Sequence, residues 1–508
     1  MHMEASYKRF ITIALFAGLA FVAIYGLLIF RFAPFTDETW DWAEDVNPIY
    51  IAAGRFFVAL YHKLFHAEGV PWAYGIASAV YLSVAIAWQT TLLRIKSIPL
   101  GIFYAAVCLG IPQLSYLVIC SFLIDAVCLA ILLVTAAYWL IQRAETLREC
   151  RKKIVCYGIA SVLMACAAGA YQFLIAFPCF FALVALLNAK SEYLSTLGQC
   201  MRKLMPVVLV TLSSFVIYYA VSTAFKQTVP ESTIAFCQNY QQSLVTWGKL
   251  PLEVHVLHIG KQWVMHLLGM SYPGEWFYAS TLIAVIYLSW CSFSSESVSL
   301  IVKLLKVSII LVLYIAPFIA IAVLGEDQGP RLHMFEPFAC ALLWVLALQR
   351  WGGLIKTQYA QIALCVLGGF LALKSMYVVS DMANTQNRYF AENVRIAGEI
   401  KQLALQTKVP DGCIAAELPI YVSGAYNGDD ARLDKYLSCV SGISTPSFYT
   451  VVRIPNLYHI SASGLSKEKI EAEFATMPQY PHPDSCRYVE GKIIVKCSNN
   501  WVTSVGVK

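Results

Sequence analysis

Apolar blocks of about 18 to 22 residues, almost free of charge, alternate along this chain with short polar segments rich in lysine and arginine. At about 1.5 Å per helical residue, a block of that length crosses a hydrocarbon core of about 30 Å. The pattern predicts about eleven spans, at 10–30, 72–93, 98–117, 119–141, 154–171, 173–187, 204–224, 276–293, 304–324, 334–349 and 359–379. Beyond about residue 385 the pattern changes. Phe390, Val394, Ala397, Ile400 and Leu403 recur at steps of three and four, which predicts an amphipathic helix. Short β-type runs follow, Cys413 to Ala416 and Lys492 to Cys497, separated by glycine, proline and asparagine. The expected architecture is an all-α polytopic membrane protein over 1–380, followed by a small α/β domain over 385–508.

Composition agrees with the pattern. Of 508 residues 59% are apolar and 13% charged, and the mean hydropathy is +0.62. Soluble proteins average about 45–50% apolar and about 25% charged, so an ordinary soluble enzyme is excluded. The net charge of +6, from 37 lysines and arginines against 31 acids, is too mild to imply nucleic-acid binding. Its placement is more informative. With the N-terminus on the cytoplasmic side, the inner loops collect Lys8 and Arg9, Arg94 and Lys96, Arg143 with Arg148 to Lys153, Lys190, Arg202 and Lys203, Lys303 and Lys306, and Arg350 with Lys356. The outer segments are acidic or balanced, so the positive-inside rule is satisfied throughout. An odd number of spans then delivers the tail to the outer side.

Twelve of the 16 cysteines lie in or beside the apolar spans, where a thiol behaves as a small hydrophobe. The other four, Cys413, Cys439, Cys486 and Cys497, lie in the tail, an even set compatible with two disulfides in an oxidising compartment and with three connectivities. The first span is too long for a cleaved signal peptide, and Arg31 to Pro34 is not a small-residue cleavage site. No internal repeat and no inverted pair of broken helices points to a secondary transporter. Two outer loops are long, 31–71 and 225–275. In the first, Ile49 to Phe65 is apolar but interrupted by Arg55, His62 and Lys63, and is expected to lie along the surface. In the second, Val254 to Met270 carries Trp263, His255, His258 and His266 roughly on one face. Zinc is one reading of that face. An interfacial helix is the preferred one, because no carboxylate or cysteine stands at a ligand spacing beside it.

Three signals could carry chemistry. Asp37, Glu38, Asp41, Glu44 and Asp45 form the densest acidic cluster, with Trp40 and Trp42 among them, just beyond the outer end of span one. A carboxylate there, its affinity for protons raised by a neighbour, could take the proton of an acceptor hydroxyl while an indole stacks on a sugar ring. The bland reading is a solvated acidic loop with belt tryptophans. Asp125 lies inside span four near its outer end, where an ionisable group is costly unless it faces a cavity or a partner. Arg331, in Gly329-Pro330-Arg331 between spans nine and ten, is placed to hold a lipid phosphate by charge-assisted hydrogen bonds.

Asp37-Glu38 after span one, Gly54-Arg55 at the surface helix, Asp125, Tyr171-Gln172 at an outer turn, and Pro330-Arg331 together resemble the serotype-converting O-antigen glucosyltransferases of Gtr type II, which are GT-C-like. The resemblance covers about 1–380; one departure is that the family's acidic pair reads Asp-Asp. It implies a bacterial inner-membrane protein with a periplasmic C-terminal domain. The implied reaction moves glucose from undecaprenyl-phosphate-glucose to a sugar of the lipid-linked O-antigen repeat, with inversion. Asp37 or Glu38 would act as base, Arg55 and Arg331 would bind the donor phosphate, and Asp125, Tyr171, Gln172 and Asp41 would contact or orient the substrates. A lipid-linked glucose synthase and a flippase are the implied functional partners. No nucleotide and no metal is required, though the acidic cluster could bind a cation. Rival readings are an O-antigen polymerase or ligase, a lipid A glycosyltransferase, and a lipid or sugar translocator.

Overall fold

The computed structural model describes residues 2–30, 47–65, 71–118, 121–188, 197–249, 251–272, 275–294, 299–327, 330–351, 357–406 and 420–423, together with 475–478, 482, 484, 486–489 and 492–496. Asp37, Glu38, Asp41, Cys413, Cys439 and Cys497 lie outside these residues, as does the run Cys413 to Ala416.

The N-terminal half contains α1 (His2–Ile29), α2 (Asn47–Ala52), α3 (Phe56–Phe65), α4 (Pro71–Leu92), α5 (Ile98–Gly110), α6 (Ser115–Val118), α7 (Ser121–Thr146), α8 (Cys150–Ala170) and α9 (Phe177–Leu187). Then come α10 (Leu197–Lys226), α11 (Glu231–Leu244), α12 (Leu252–Leu267), α13 (Trp276–Phe293), α14 (Leu300–Ile315), α15 (Ile319–Leu324), α16 (Glu336–Arg350) and α17 (Gln358–Gln406). Among the described residues eight segments are long and apolar enough to cross a membrane: Ser6–Ile29, Trp72–Leu92, Leu123–Thr146, Cys150–Ala170, Gly198–Lys226, Trp276–Phe293, Leu300–Leu324 and Gln358–Asn384. The chain is therefore a multi-pass, all-α membrane protein over this region.

The three remaining expected spans are shorter helices. Of these, α5 has 13 residues and α16 has 15, roughly 20 Å of rise each. Both are almost wholly buried, and they pack on one another at the centre of the bundle, so neither presents a full hydrophobic length to its surroundings. The third, α9, is entered through the 3-10 turn Gln172–Ala176. Neither α3 nor α12 is among the segments long and apolar enough to cross a membrane. Yet α3 does not lie free on a surface: Phe56, Val58, Ala59, Tyr61 and His62 are buried, and it packs on α7 and α8.

At one end of the bundle Arg9 donates to the Lys96 carbonyl at 3.3 Å, and Arg350 donates to the Leu187 carbonyl at 2.9 Å. A cavity of about 480 Å³ lies at this end, lined among others by Arg94, Gln142, Glu145, Asn188 and Lys203. At the opposite end lie Arg55, Asp125, Tyr171, Gln172 and the turn Pro330–His333, which packs against the turn Pro112–Leu114 and α6.

In the tail, the expected amphipathic helix is not a separate element. It continues α17, since no proline or glycine interrupts the sequence between Gly369 and Gly398. Three short strands are described, β1 (Ile420–Ser423), β2 (Cys486–Val489) and β3 (Lys492–Lys496), in the order β1-β3-β2. β3 pairs parallel with β1 and antiparallel with β2, with Val489 opposite Lys492, so two residues join that hairpin.

Candidate functional site

Two groups of side chains meet at the end of the bundle that carries Arg55. The first is built by a chain reversal between α2 and α3. The Arg55 N–H bonds the Tyr50 carbonyl at 2.7 Å and the Gly54 N–H bonds the Ile51 carbonyl at 3.0 Å, the pairing of a Schellman motif. Such a motif needs a left-handed residue, and Gly54 supplies it at φ +81°. The freed Ala53 carbonyl accepts from Gln172 Nε2 at 2.9 Å and from Gln241 Nε2 at 3.3 Å. Arg55 Cζ sits 5.6 Å from the centroid of the Tyr171 ring, a cation–π arrangement. Residues about 120 positions apart are thus brought together. Arg55 Nε is buried and has no hydrogen-bond acceptor among the described residues. A guanidinium held against an aromatic face with an unpaired, buried N–H is chemically suited to an anion.

Arg55 precedes α3 and His62 lies about two turns further along it, on the side of Asp125. Asp125 is fifth in α7 and buried; its Oδ1 accepts from the Ala126 N–H at 2.7 Å and lies 3.9 Å from His62 Nε2. That separation is beyond a direct hydrogen bond, and His62 Nε2 has no partner among the described residues. Tyr50, Tyr61 and Tyr74 surround the imidazole, with centroids 5.8 to 6.1 Å away. A buried acid is therefore faced by a histidine in an aromatic setting, about 10 Å along α3 from Arg55.

The second group was not legible as a unit in the sequence. At the C-terminus of α12, Gly269 turns the chain back at φ +66°, with its N–H on the His266 carbonyl at 2.8 Å and the Met270 N–H on the Met265 carbonyl at 2.8 Å. The reversal carries Glu275 to His266, where Oε1 meets Nδ1 at 2.5 Å. The other Glu275 oxygen accepts the backbone N–H groups of Ser271 at 2.9 Å and Tyr272 at 3.2 Å. On the far side of the ring, His266 Nε2 meets Asp327 Oδ2 at 3.0 Å, and His333 Nε2 meets Asp327 Oδ1 at 2.9 Å. His333 Nδ1 donates to the Pro317 carbonyl at 3.4 Å, and the Tyr272 hydroxyl donates to Asp327. Gln262 Oε1 accepts the Asp327 N–H at 2.9 Å.

Burial opposes charge on His266, but hydrogen bonds to Asp327 and Glu275 outweigh it and push the imidazole up to about 9. Burial likewise opposes ionisation of Asp327, yet His266 and His333 hold its carboxyl well below the usual carboxylate range. Phe318 stacks on His266 with centroids 4.8 Å apart, and Trp263 Nε1 donates to the Phe318 carbonyl at 3.1 Å, which ties α12 to the turn before α15. Glu336, first in α16, is fully buried within the electrostatic reach of Glu275 and Asp327, and neither of its oxygens has a hydrogen-bond partner among the described residues. His266, Asp327 and His333 each offer one ligand atom, all within 4.8 Å of one another, so this trio could hold a metal ion.

The expected site residues are distributed as follows. Arg55, Tyr171 and Gln172 are brought together, and Asp125 joins them through α3 and His62. Arg331 belongs to the turn Pro330–His333, two residues before the buried His333. The histidine face of α12 is divided: His255 and His266 are buried and His258 is half exposed, with His258 Nε2 4.0 Å from Glu326. The partner that the sequence reading missed for His266 is the Asp327–His333 segment. Its signal was present as Glu326-Asp327 and His333 on either side of Gly329-Pro330-Arg331. Comparison with protein-family models, with curated proteins and with solved structures finds no match for this chain, so its chemistry rests on the residues described above.

Proposed function

We propose that the chain is a glycosyltransferase that takes a sugar from a polyprenyl-phosphate carrier and transfers it to a lipid-linked saccharide at the outer ends of its helices. The observation that carries the reading is the Arg55 site: an arginine with a buried, unpaired N–H, lying on Tyr171 beside Gln172. It suits a phosphate, and tyrosine and glutamine at its side suit a sugar. The resemblance to the O-antigen glucosyltransferases makes the donor undecaprenyl-phosphate-glucose and the acceptor a sugar of the O-antigen repeat.

In this reading an acceptor hydroxyl oxygen attacks C1 of the glucose from the face opposite the phosphate. Its proton passes to Asp37 or Glu38, the C1–O bond to the phosphate breaks, and undecaprenyl phosphate departs with the electron pair. Arg55 and Arg331 meet the charge that develops on the departing phosphate. The anomeric centre inverts. Asp125 and His62 orient the sugar or the base, and Asp41 contributes to substrate binding. The topology that goes with this is eleven crossings from a cytoplasmic N-terminus, with α5, α9 and α16 as the three short ones and a periplasmic α/β domain after α17. Inner-membrane location, a lipid-linked glucose synthase and a flippase complete the reading. The translocator alternative has one foothold, the cavity at the basic end.

The test is the O-antigen structure, by mass and by NMR, from cells that make lipid-linked glucose and express the wild type, Asp37→Asn, Glu38→Gln, Arg55→Ala or Arg331→Ala. The expected result is one added hexose per repeat with the wild type and its loss in Arg55→Ala and in one carboxylate variant that still reaches the membrane. An unmodified O-antigen with the wild type refutes the reading for this acceptor.

A further inference from the structure

Two segments remote in sequence bring nitrogen and oxygen donors to one point: α12 through His266, and the stretch after α15 through Asp327 and, six residues on, His333 in the turn Pro330–His333. We propose that His266, Asp327 and His333 bind a divalent transition-metal cation, zinc first among them. The glycosyl-transfer reading needs no metal, and this proposal does not depend on it.

The orientation of the two imidazoles is the main argument. Both direct Nε2 at Asp327, at 3.0 and 2.9 Å, and both have Nδ1 held from behind, His266 by Glu275 at 2.5 Å and His333 by the Pro317 carbonyl at 3.4 Å. A carbonyl oxygen can only accept, so Nδ1 of His333 carries a proton, and it is Nε2 that would turn its lone pair to a metal once the proton it shares with Asp327 is displaced. Histidines that ligate metals are held in this way, with the second ring nitrogen on a carboxylate or a backbone carbonyl that fixes tautomer and ring plane. The present distances suit the change. Ligands about 2.0–2.2 Å from zinc in tetrahedral array stand about 3.3–3.6 Å apart, so small displacements around the three atoms, already within 4.8 Å, admit the ion.

Charge points the same way. Among the described side chains of this pocket, two imidazoles face three carboxylates, Asp327, Glu275 and the fully buried Glu336, whose oxygens have no hydrogen-bond partner there. Buried carboxylates call for protons or for a cation, and a divalent ion at this point would take the place of the protons that the imidazoles now share with Asp327. The donor set decides which cation. Two imidazoles and one carboxylate suit zinc and its first-row neighbours, whereas magnesium and calcium prefer all-oxygen sites. The surroundings are stiff, with Phe318 stacked on His266 and the two imidazole centroids 4.5 Å apart. Three protein ligands leave a further coordination position for an oxygen donor. Bound metal would also fasten α12 to the turn that carries Arg331, so occupancy would fix the placement of that arginine.

The test uses the full chain, purified in detergent, stripped with a chelator, reloaded with Zn²⁺ and desalted, with metal measured by mass spectrometry. The expected result is about one zinc per chain, held with micromolar or tighter affinity. His333→Ala and Asp327→Asn should weaken binding at least tenfold, as should Glu275→Gln by about 10–100-fold through the orienting contact alone. His255→Ala, on the same helix but outside the trio, should bind as the wild type does. Loading with Co²⁺ should give visible d–d bands without the near-ultraviolet charge transfer of a thiolate ligand, which separates this site from the cysteines. The proposal is overturned if monodisperse wild type retains less than about 0.1 equivalent of zinc. It is equally overturned if His333→Ala and Asp327→Asn, both monodisperse, bind as tightly as the wild type.

Discussion

Replacing Gly54 by alanine should cost far more than one methyl group suggests. The residue sits at φ +81°, where an L side chain costs about 1–2 kcal/mol. A Cβ built there would lie 2.5 Å from Tyr218 Oη, 3.2 Å from Gln172 Nε2 and 3.6 Å from Ser222 Oγ. The first of these contacts forces Tyr218 or the α2–α3 turn to move, for about a further 1 kcal/mol. The expected total is roughly 2–3 kcal/mol, read as the shift in free energy of unfolding from SDS titration in mixed micelles. The two contributions are separable. In a Tyr218→Phe background the hydroxyl is absent, and the same substitution should cost only the backbone part, about 1–2 kcal/mol, which gives a coupling of about 1 kcal/mol. Arg55 follows Gly54 directly, so sugar transfer should fall with the single variant and recover in part in the double one. A Gly54→Ala protein as stable as the wild type, or one whose cost ignores Tyr218, would refute the assignment of this turn.

Asp125→Asn should fold, since it keeps the size of the side chain, but should lower transfer at least tenfold if the acid and His62 orient a substrate, measured as modified repeats at equal membrane abundance. In metal-free protein His266→Ala leaves Glu275 and Asp327 buried without their shared partner and should cost about 3–5 kcal/mol in the same unfolding titration. If Arg55 and Arg331 meet one phosphate, the double alanine variant should lose less activity than the product of the single losses, by a coupling of about 1 kcal/mol or more in kcat/KM; strict multiplication would place them on different ligands. Cys150, exposed at the start of α8, should react with a membrane-impermeant maleimide only after the membrane is opened, in a variant that keeps it as the sole cysteine; labelling of intact cells would reverse the orientation.

The helices were legible because their signal is local. An apolar run such as Ser6–Ile29 or Leu300–Leu324 announces itself whatever it packs against. α5 and α16 were legible as apolar but not as short, although their bounds are written in their residues: Ser97 caps α5 and Pro112 follows its end, and Pro337 stands in the first turn of α16. α17 was divided in the sequence reading where hydropathy falls, although helix continuity depends on backbone propensity, which does not change there. Arg55, Tyr171 and Gln172 could be named from the resemblance, but what joins them is the Gly54 turn, a left-handed residue whose need is visible only once the Ala53 carbonyl is seen to bind Gln172. His266 shows the limit most clearly. On α12 it looked like one of three histidines on a face, and its ligating geometry comes from residues 9, 61 and 67 positions downstream, which no periodicity connects.

The two groups at this end of the bundle carry opposite tendencies, and their separation has a physical consequence. Around Arg55 the described environment is an unpaired guanidinium N–H, an aromatic face and amides, which favours an anion. Around His266 it is an excess of buried carboxylates, which repels one unless a cation intervenes. The Pro330–His333 turn packs on the segment Pro112–Val118, from which the chain passes to α7 and Asp125. On the proposed readings, an anionic lipid phosphate would be held at Arg55 in the metal-free protein, and a cation held by the trio would offer its oxygens a further coordination position. Arg331 lies in the turn between Asp327 and His333, so the cation that would create the second seat also fixes the backbone on either side of that arginine. If Arg331 holds the donor phosphate and the trio a cation, the two binding events are linked through this turn, and linkage requires that each change the other's affinity by the same factor.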